Sequence, residues 1–459
     1  MGIKGKYESR LHNIALSCDA FTTGYLVMCL LFFAPYAATF GGKLVMWFLP
    51  IAALVPFAVM PFVYMLVHRA DILLFGRYHL IMPTSAFLAA LFFVAAFCAQ
   101  GRGAADACLI FFGALIFAVA ILIYRYYAFS VRARLGNGSL GFSPLSACFS
   151  AAGSVSAISA YYGFLYYDPS TAFLNTAYVL SVACVILALA QYLTTYYGIP
   201  RLGGKRVQSA KNVFRALFSG LDKRSYFSAL FFLAAFASVA VLTVYYAGVV
   251  LDNMYEATAC ATVFVACYAA GVLVCERYVK RRSKSLSVAE LLCAIIAAGL
   301  LITVAYVDFV GATKAMVMIA SGIAGAGGAA AVRQTKLRLI TIKPRITSGI
   351  VFVLYGLTAF AAIAAAFLTA AVVTEIYYAD PSATAFVYGF AAAAVFAVTA
   401  FALAGKKRVN ATDAHKLSYE YNGADERASE KVDEEVSSDA ADANINNQSN
   451  GALSASDKE

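Results

Sequence analysis

Charge is what this sequence has least of: 13% of its 459 residues are Asp, Glu, Lys or Arg and 62% are hydrophobic. A water-soluble domain carries about 25% charged and about 45–50% apolar residues, so a soluble enzyme or binding module is excluded. Histidine occurs only four times, at His12, His68, His79 and His415, near the ends of apolar runs or in the C-terminal tail, which leaves no histidine relay inside a run. Cysteine is present ten times, but no two are spaced C-x-x-C, so neither a metal site nor a redox motif is indicated and no cofactor is expected. No GxxxxGK[ST] loop occurs, which excludes direct ATP coupling within this chain.

What fills the chain is long apolar runs. A membrane-spanning helix needs roughly 20 predominantly apolar residues, and twelve stretches meet that requirement. The first six are Leu11–Phe40, Leu44–Val67, Leu80–Ala99, Cys108–Phe129, Pro144–Tyr166 and Thr171–Thr195. The second six are Tyr226–Val249, Ala257–Cys275, Ser287–Val307, Ala312–Val332, Ser348–Val372 and Ala383–Ala404. The fold class expected is an all-α polytopic membrane protein with twelve transmembrane helices. The first run is too long for a cleaved signal peptide, and MGIKGK lacks the hydroxyl residue that myristoylation requires.

Orientation follows from the cations, because cytoplasmic loops retain Lys and Arg during insertion. Taken alternately, the connections carry 28 Lys and Arg on one side and only Lys43, Arg102 and Lys314 on the other. Both termini are therefore expected in the cytoplasm. A single miscounted helix would have destroyed the asymmetry. The overall charge of +10 is a record of this topology rather than a nucleic-acid footprint. The multi-pass chain is expected in the plasma membrane, among membrane lipids.

A short motif repeats. Tyr166-Tyr167-Asp168-Pro169-Ser170-Thr171-Ala172-Phe173 returns as Tyr377-Tyr378-Ala379-Asp380-Pro381-Ser382-Ala383-Thr384-Ala385-Phe386. One copy follows the fifth run and the other the eleventh, on the same side, so the chain reads as two parallel six-helix halves. Asp as N-cap with Pro at the first helical position gives the motif a structural meaning. The domains expected are an N-terminal bundle at 1–195, a cytoplasmic linker at 196–225, a C-terminal bundle at 226–408 and an acidic cytoplasmic tail at 409–459. In the linker, Val207, Val213, Phe214, Leu217 and Phe218 interleave with Lys211 and Arg215, the pattern of a helix lying on the membrane surface. The tail has too little apolar surface to fold alone and could engage a cytoplasmic partner.

Two parallel six-helix halves joined by such a linker resemble the major facilitator superfamily. Within it, Asp19, Pro61, Phe75-Gly76-Arg77-Tyr78, Asn212-Val213-Phe214-Arg215-Ala216-Leu217 and Pro344-Arg345 resemble the glycoside–pentoside–hexuronide:cation symporters, the melibiose permease group. That resemblance implies a secondary transporter for a small solute such as a sugar or glycoside. It also implies cation-binding acids in the second helix near Pro56 and Met60, yet no Asp or Glu occurs from Ala20 to Ala70. Transport without the usual sodium site is therefore expected. The same group has relatives that carry lysolipids, which implies an amphiphile carrier as the alternative. A third reading, a scaffold or sensor that has lost transport and acts through its acidic tail, follows from the missing coupling residues.

An ionisable residue inside a span is a functional candidate by default. Asp19 lies nine residues beyond Arg10, about 13 Å deep, and Arg125 lies seven residues before Arg132, about 10 Å deep. They could pair across the N-terminal bundle; alternatively Arg125 snorkels and Asp19 is hydrated. Thr22, Thr23 and Tyr25 beside Asp19, with Tyr124 and Tyr127 beside Arg125, complete the candidate substrate-binding set. Arg69, Asp71 and Arg77, in the second-to-third connection, are the candidate gating cluster. Glu290 and Glu375 are expected near span ends within reach of water. Ser321, Gly325 and Gly328 are expected to let helices approach closely. Tyr161, Tyr162, Tyr166, Tyr167, Tyr377 and Tyr378 are expected in the outer aromatic belt.

Overall fold

Inside a bilayer every backbone polar group must find its partner within the protein, and a helix does this segment by segment. The structure, a computed structural model, describes residues 26–40, 42–69, 81–99, 103–134, 144–198, 223–279, 283–307, 312–342 and 348–404. The chain divides into two units, Met1–Ala411 and Thr412–Glu459, and every described residue lies in the first.

The described residues form twelve helices and no strand. They are α1 Leu26–Phe40, α2 Gly42–Arg69, α3 Ile81–Ala96, α4 Ala104–Arg134, α5 Pro144–Tyr167 and α6 Ala172–Gly198 in the first half. The second half comprises α7 Lys223–Val249, α8 Met254–Val279, α9 Ser283–Tyr306, α10 Thr313–Ile342, α11 Ser348–Ala379 and α12 Ala385–Leu403. Eight of the twelve are long and apolar enough over described residues to cross a membrane. The turns on the outer side are short. Gly42 and Gly103 have φ of +66° and +71°, values that a residue with a Cβ adopts only under strain, and they stand at or just before the starts of α2 and α4.

The packing pattern repeats after six helices, as a parallel repeat requires. In the first half α3 packs on α4 and α6, α2 on α4, and α5 on α6; in the second, α9 packs on α10 and α12, α8 on α10, and α11 on α12. Between the halves α2 packs on α11 and α5 on α8, and these two contacts exchange under the same six-helix shift. The described helices are thus two equivalent bundles arranged side by side.

Close approach within each bundle is set by small residues. A Cβ at Gly325 of α10 would overlap the Phe264 carbonyl oxygen of α8, and one at Gly113 of α4 would lie 2.7 Å from the Ala96 nitrogen at the end of α3. Ser321 sits on the same face of α10 as Gly325, buried, and donates to the Cys260 carbonyl of α8 at 2.7 Å. Several buried threonines turn inward on their own helix: Thr243, Thr358, Thr369 and Thr374 each donate to the carbonyl four residues back at 2.6–2.7 Å. Without water nearby, that bond satisfies the donor at little structural cost.

The repeated motif anchors each bundle through its last residue. Phe173 stacks on Phe97 at 5.6 Å and meets Phe32, Tyr36 and Tyr161, while Phe386 meets Tyr245, Tyr246, Tyr377 and Phe390. Tyr161, expected at the outer interface, is in fact 1% exposed, because its ring faces Phe32 and Phe173 rather than headgroups. Tyr162, Tyr166, Tyr167 and Tyr378 are exposed, as a belt requires. The two copies differ at the turn. Asp168 accepts from the Ser170 amide and from the Ser170 and Thr171 hydroxyls at 2.6–3.0 Å, whereas α12 is preceded by Thr384, which makes no side-chain cap bond. The Asp N-cap expected of both copies is found in neither: α6 begins at Ala172 and α12 at Ala385, four and five residues after their aspartates, and Asp168 instead closes the turn that precedes α6.

Candidate functional site

The helices that meet across the two halves line a partly open cavity of about 50 Å³. Leu26, Cys29, Leu30 and Phe33 of α1, Leu49, Ala52 and Ala53 of α2, and Ala114, Phe117 and Ala118 of α4 form one side of its wall. Phe360, Ile363 and Phe367 of α11 form the other. The spacing explains the geometry: 114, 118, 122 and 125 share one face of α4, and 356, 360, 363 and 367 share one face of α11. Because the two helices run in opposite directions, Ala114 faces the outer part of α11 and Leu122 faces Gly356, where an added Cβ would stand 3.6 Å from the leucine methyl. Every described lining group is apolar, a surface suited to the hydrophobic body of a solute.

Arg125 continues the cavity face of α4 one step toward the cytoplasm. Its guanidinium lies within electrostatic reach of the Tyr268 phenol on α8 and the Tyr355 phenol on α11. Among the described residues it has no carboxylate partner. Tyr124, its neighbour, is 1% exposed and belongs to the packed core. Asp19, Thr22, Thr23, Tyr25, Asp71 and Arg77 lie outside the described residues, as do the side chains of Arg69 and Tyr127. The pairing of Asp19 with Arg125 lies there too. Nothing in the sequence singles out Tyr268 and Tyr355; in a chain with 29 tyrosines, only their electrostatic proximity to Arg125 in the fold distinguishes them.

At its outer end the space between the halves is closed. Lys43, at the start of α2, pairs with Glu375 near the end of α11 at 3.1 Å, and its ammonium stands 5.4 Å from the centre of the Tyr378 ring. The Tyr378 hydroxyl donates to the Ala38 carbonyl of α1 at 3.1 Å. Across the pseudo-equivalent contact, the Tyr255 hydroxyl of α8 donates to the Leu165 carbonyl of α5 at 3.2 Å, and Tyr162 meets the Tyr255 ring edge-on. Two of the three outer cations thus have acidic partners, since Lys314 pairs with Glu256 at the outer ends of α10 and α8. Asn253 supports that glutamate by capping α8: its side-chain oxygen accepts from the Tyr255 and Glu256 amides, and its amide donates to the Glu256 carboxylate at 3.0 Å.

Glu290 corrects an expectation. Its place near the start of a hydrophobic run suggested access to water, but α9 begins at Ser283, two turns earlier, and Glu290 is wholly buried. It lies close to Cys275 of α8 and Cys293 of its own helix, with Arg333 of α10 also near Cys275. Gln334 donates to Ser287 at 2.6 Å in the same region. The Gln334–Ser287 bond ties α10 to α9 beside Glu290.

No family model matches the sequence, and no curated protein matches it. Solved structures do match. The nucleoside transporter NupG aligns with a TM-score of 0.60 at 14% identity, covering 86% of this chain and 98% of that one. A bacterial homologue of the iron transporter ferroportin, outward-facing, aligns with a TM-score of 0.56 at 14% identity, over 86% and 98% of the two chains. FucP, a major facilitator superfamily transporter in its outward conformation, aligns with a TM-score of 0.54 at 14% identity, over 86% and 99%. The narrower resemblance to the melibiose permease group finds no counterpart among these matches. The twelve helices, their parallel repeat and these alignments agree that this chain has the fold of a major facilitator transporter.

Proposed function

We propose that this chain is a secondary transporter that moves a small solute across the plasma membrane by alternating access to the cavity between its two halves. The observation that carries this is the closed outer rim above an inter-half cavity, in a fold for which two structural neighbours were solved facing outward. Rocking of the halves would exchange the closed end. Cysteines introduced at Lys43 and Glu375 in a cysteine-free background test it. Cross-linking them should stop solute flux in proteoliposomes, and reduction should restore it. Flux that persists through a complete cross-link would overturn the reading.

The solute class implied by the sequence resemblance is a sugar or glycoside, and the named neighbours include a nucleoside transporter and, in FucP, a fucose:proton symporter from E. coli. The apolar cavity wall is the specific observation that favours the amphiphile alternative. Thermal stabilisation of the purified chain across sugars, nucleosides, organic acids and lysolipids separates the two. Coupling to sodium is not part of the proposal, because the second helix offers no carboxylate to replace the ion's hydration shell. Arg69, Asp71 and Arg77 are assigned to the cytoplasmic gate, and the acidic tail to a cytoplasmic partner. Deleting residues after 409 should leave flux intact in a carrier and abolish function in a scaffold.

A further inference from the structure

The outer end of α11 meets the turn between α1 and α2 at two points. Glu375 pairs with Lys43, the second residue of α2, at 3.1 Å, and Tyr378 donates its hydroxyl to the Ala38 carbonyl of α1 at 3.1 Å. Glu375 and Tyr378 are three residues apart, so one face of α11 carries both. The Lys43 ammonium joins the two points, since it also stands 5.4 Å from the centre of the Tyr378 ring. Both members of the ion pair are exposed, with 43% and 50% of their side-chain surfaces accessible, so dissolved ions can screen it. The Tyr378 bond is neutral and escapes that screening. The other side of the outer mouth is built differently. There Tyr255 of α8 donates to the Leu165 carbonyl of α5 at 3.2 Å and meets the Tyr162 ring edge-on. No Lys or Arg occurs from 135 to 200, so neither α5 nor α6 can offer a cation to Glu256, whose partner is Lys314 of its own half. Asp168 and Asp252, each three residues from that contact, are exposed and of like charge.

Resting on the transporter reading above, we infer that the outer end of α11 is a salt-sensitive clasp on the α1–α2 turn, and that this clasp, rather than the Tyr255 contact, sets what fraction of the chain is closed to the outside. Raised ionic strength on the outer face weakens the Lys43–Glu375 pair and shifts the population toward an open mouth, by no more than that pair contributes. The Tyr378 bond supplies the part of the closure that salt leaves untouched. The regulator is thus the ionic strength of the outer solution, read by an ion pair whose two members belong to opposite halves.

The test uses the full chain in proteoliposomes with Cys29, which lines the chamber, kept as its one cysteine, and follows reaction with an impermeant methanethiosulfonate added outside. A single cysteine at the exposed position of Tyr167 controls for the reagent's own response to salt. Raising external KCl from about 20 mM to about 500 mM at matched osmolality should speed Cys29 labelling about two- to fivefold. Tyr378→Phe should speed it about two- to tenfold at either salt level. Glu375→Gln should speed it at low salt and abolish the salt response, and Lys43→Glu combined with Glu375→Lys should recover that response. Trp47, the chain's single tryptophan, lies four residues beyond Lys43 on the same face of α2, so its quenching by neutral acrylamide in the unmodified chain gives a second reading that should rise in step. Labelling and quenching that ignore salt, a salt response that survives Glu375→Gln, or a larger opening in Tyr255→Phe than in Tyr378→Phe combined with Glu375→Gln would each overturn the proposal. Transport is judged separately: where the clasp behaves as expected but the cross-link between positions 43 and 375 leaves flux intact, the clasp stands and the transporter reading falls.

Discussion

Gly325 has no room for a methyl group, since the neighbouring backbone carbonyl of Phe264 already occupies that place. Gly325→Ala should force α8 and α10 apart and cost about 1–3 kcal/mol, with Gly299→Ala, where nothing is near, as the neutral control. Unfolding in detergent checks it; equal stability of the two variants would contradict the packing. Phe386→Ala should cost more, about 3–5 kcal/mol, because the ring is fully buried among four aromatic neighbours. Gly325 was legible in the sequence because small residues at helical spacing in an apolar run mean close packing. The cavity wall was not. Leucine, phenylalanine and alanine facing a solute read the same as leucine, phenylalanine and alanine facing lipid.

The turn into α6 is held by a carboxylate. Hydrogen bonds from the Thr171 hydroxyl, and then from Ser170, keep the Asp168 carboxyl below its ordinary value of 3.8. A depressed value means the turn is favoured at neutral pH and loosens only as pH falls through that lowered value. Hydrogen exchange at the Ser170 amide should therefore be protected equally at pH 5 and pH 7, and Asp168→Ala should remove the protection at both. Protection that fades between pH 7 and pH 5 would be inconsistent with this assignment. The hydropathy runs located the helices well but not their ends. α10 continues to Ile342, ten residues past the run ending at Val332, and α11 continues to Ala379, carrying Glu375 beyond the run ending at Val372. Hydropathy measures how much chain sits in hydrocarbon, whereas helix length is set by where packing and backbone bonding stop.

For the molecule as a whole, sidedness is the most direct prediction. Single cysteines at Ser170 and Ser382 should react with an impermeant reagent from outside, and single cysteines at Ser209 and Ser437 should not; labelling at Ser209 would reverse the topology. The 28 to 3 division of cations made this legible because insertion sorts charge before any tertiary contact exists. What only the fold reveals is that Lys43, one of the three exceptions, meets Glu375 from the other half. The threonines of α11 then acquire a mechanical meaning. Thr358, Thr369 and Thr374 each donate to a carbonyl of α11 itself, and their side-chain partners Tyr226, Ser238 and Tyr245 all lie on α7 of the same half, so none of these bonds crosses to the other half. When the halves part, these hydroxyls lose no partner and expose no orphaned donor to lipid. α11 therefore works as a lubricated bearing, exchanging one set of dispersion contacts for another, while the friction of the stroke is concentrated at the rim where Lys43, Tyr378 and Tyr255 must let go.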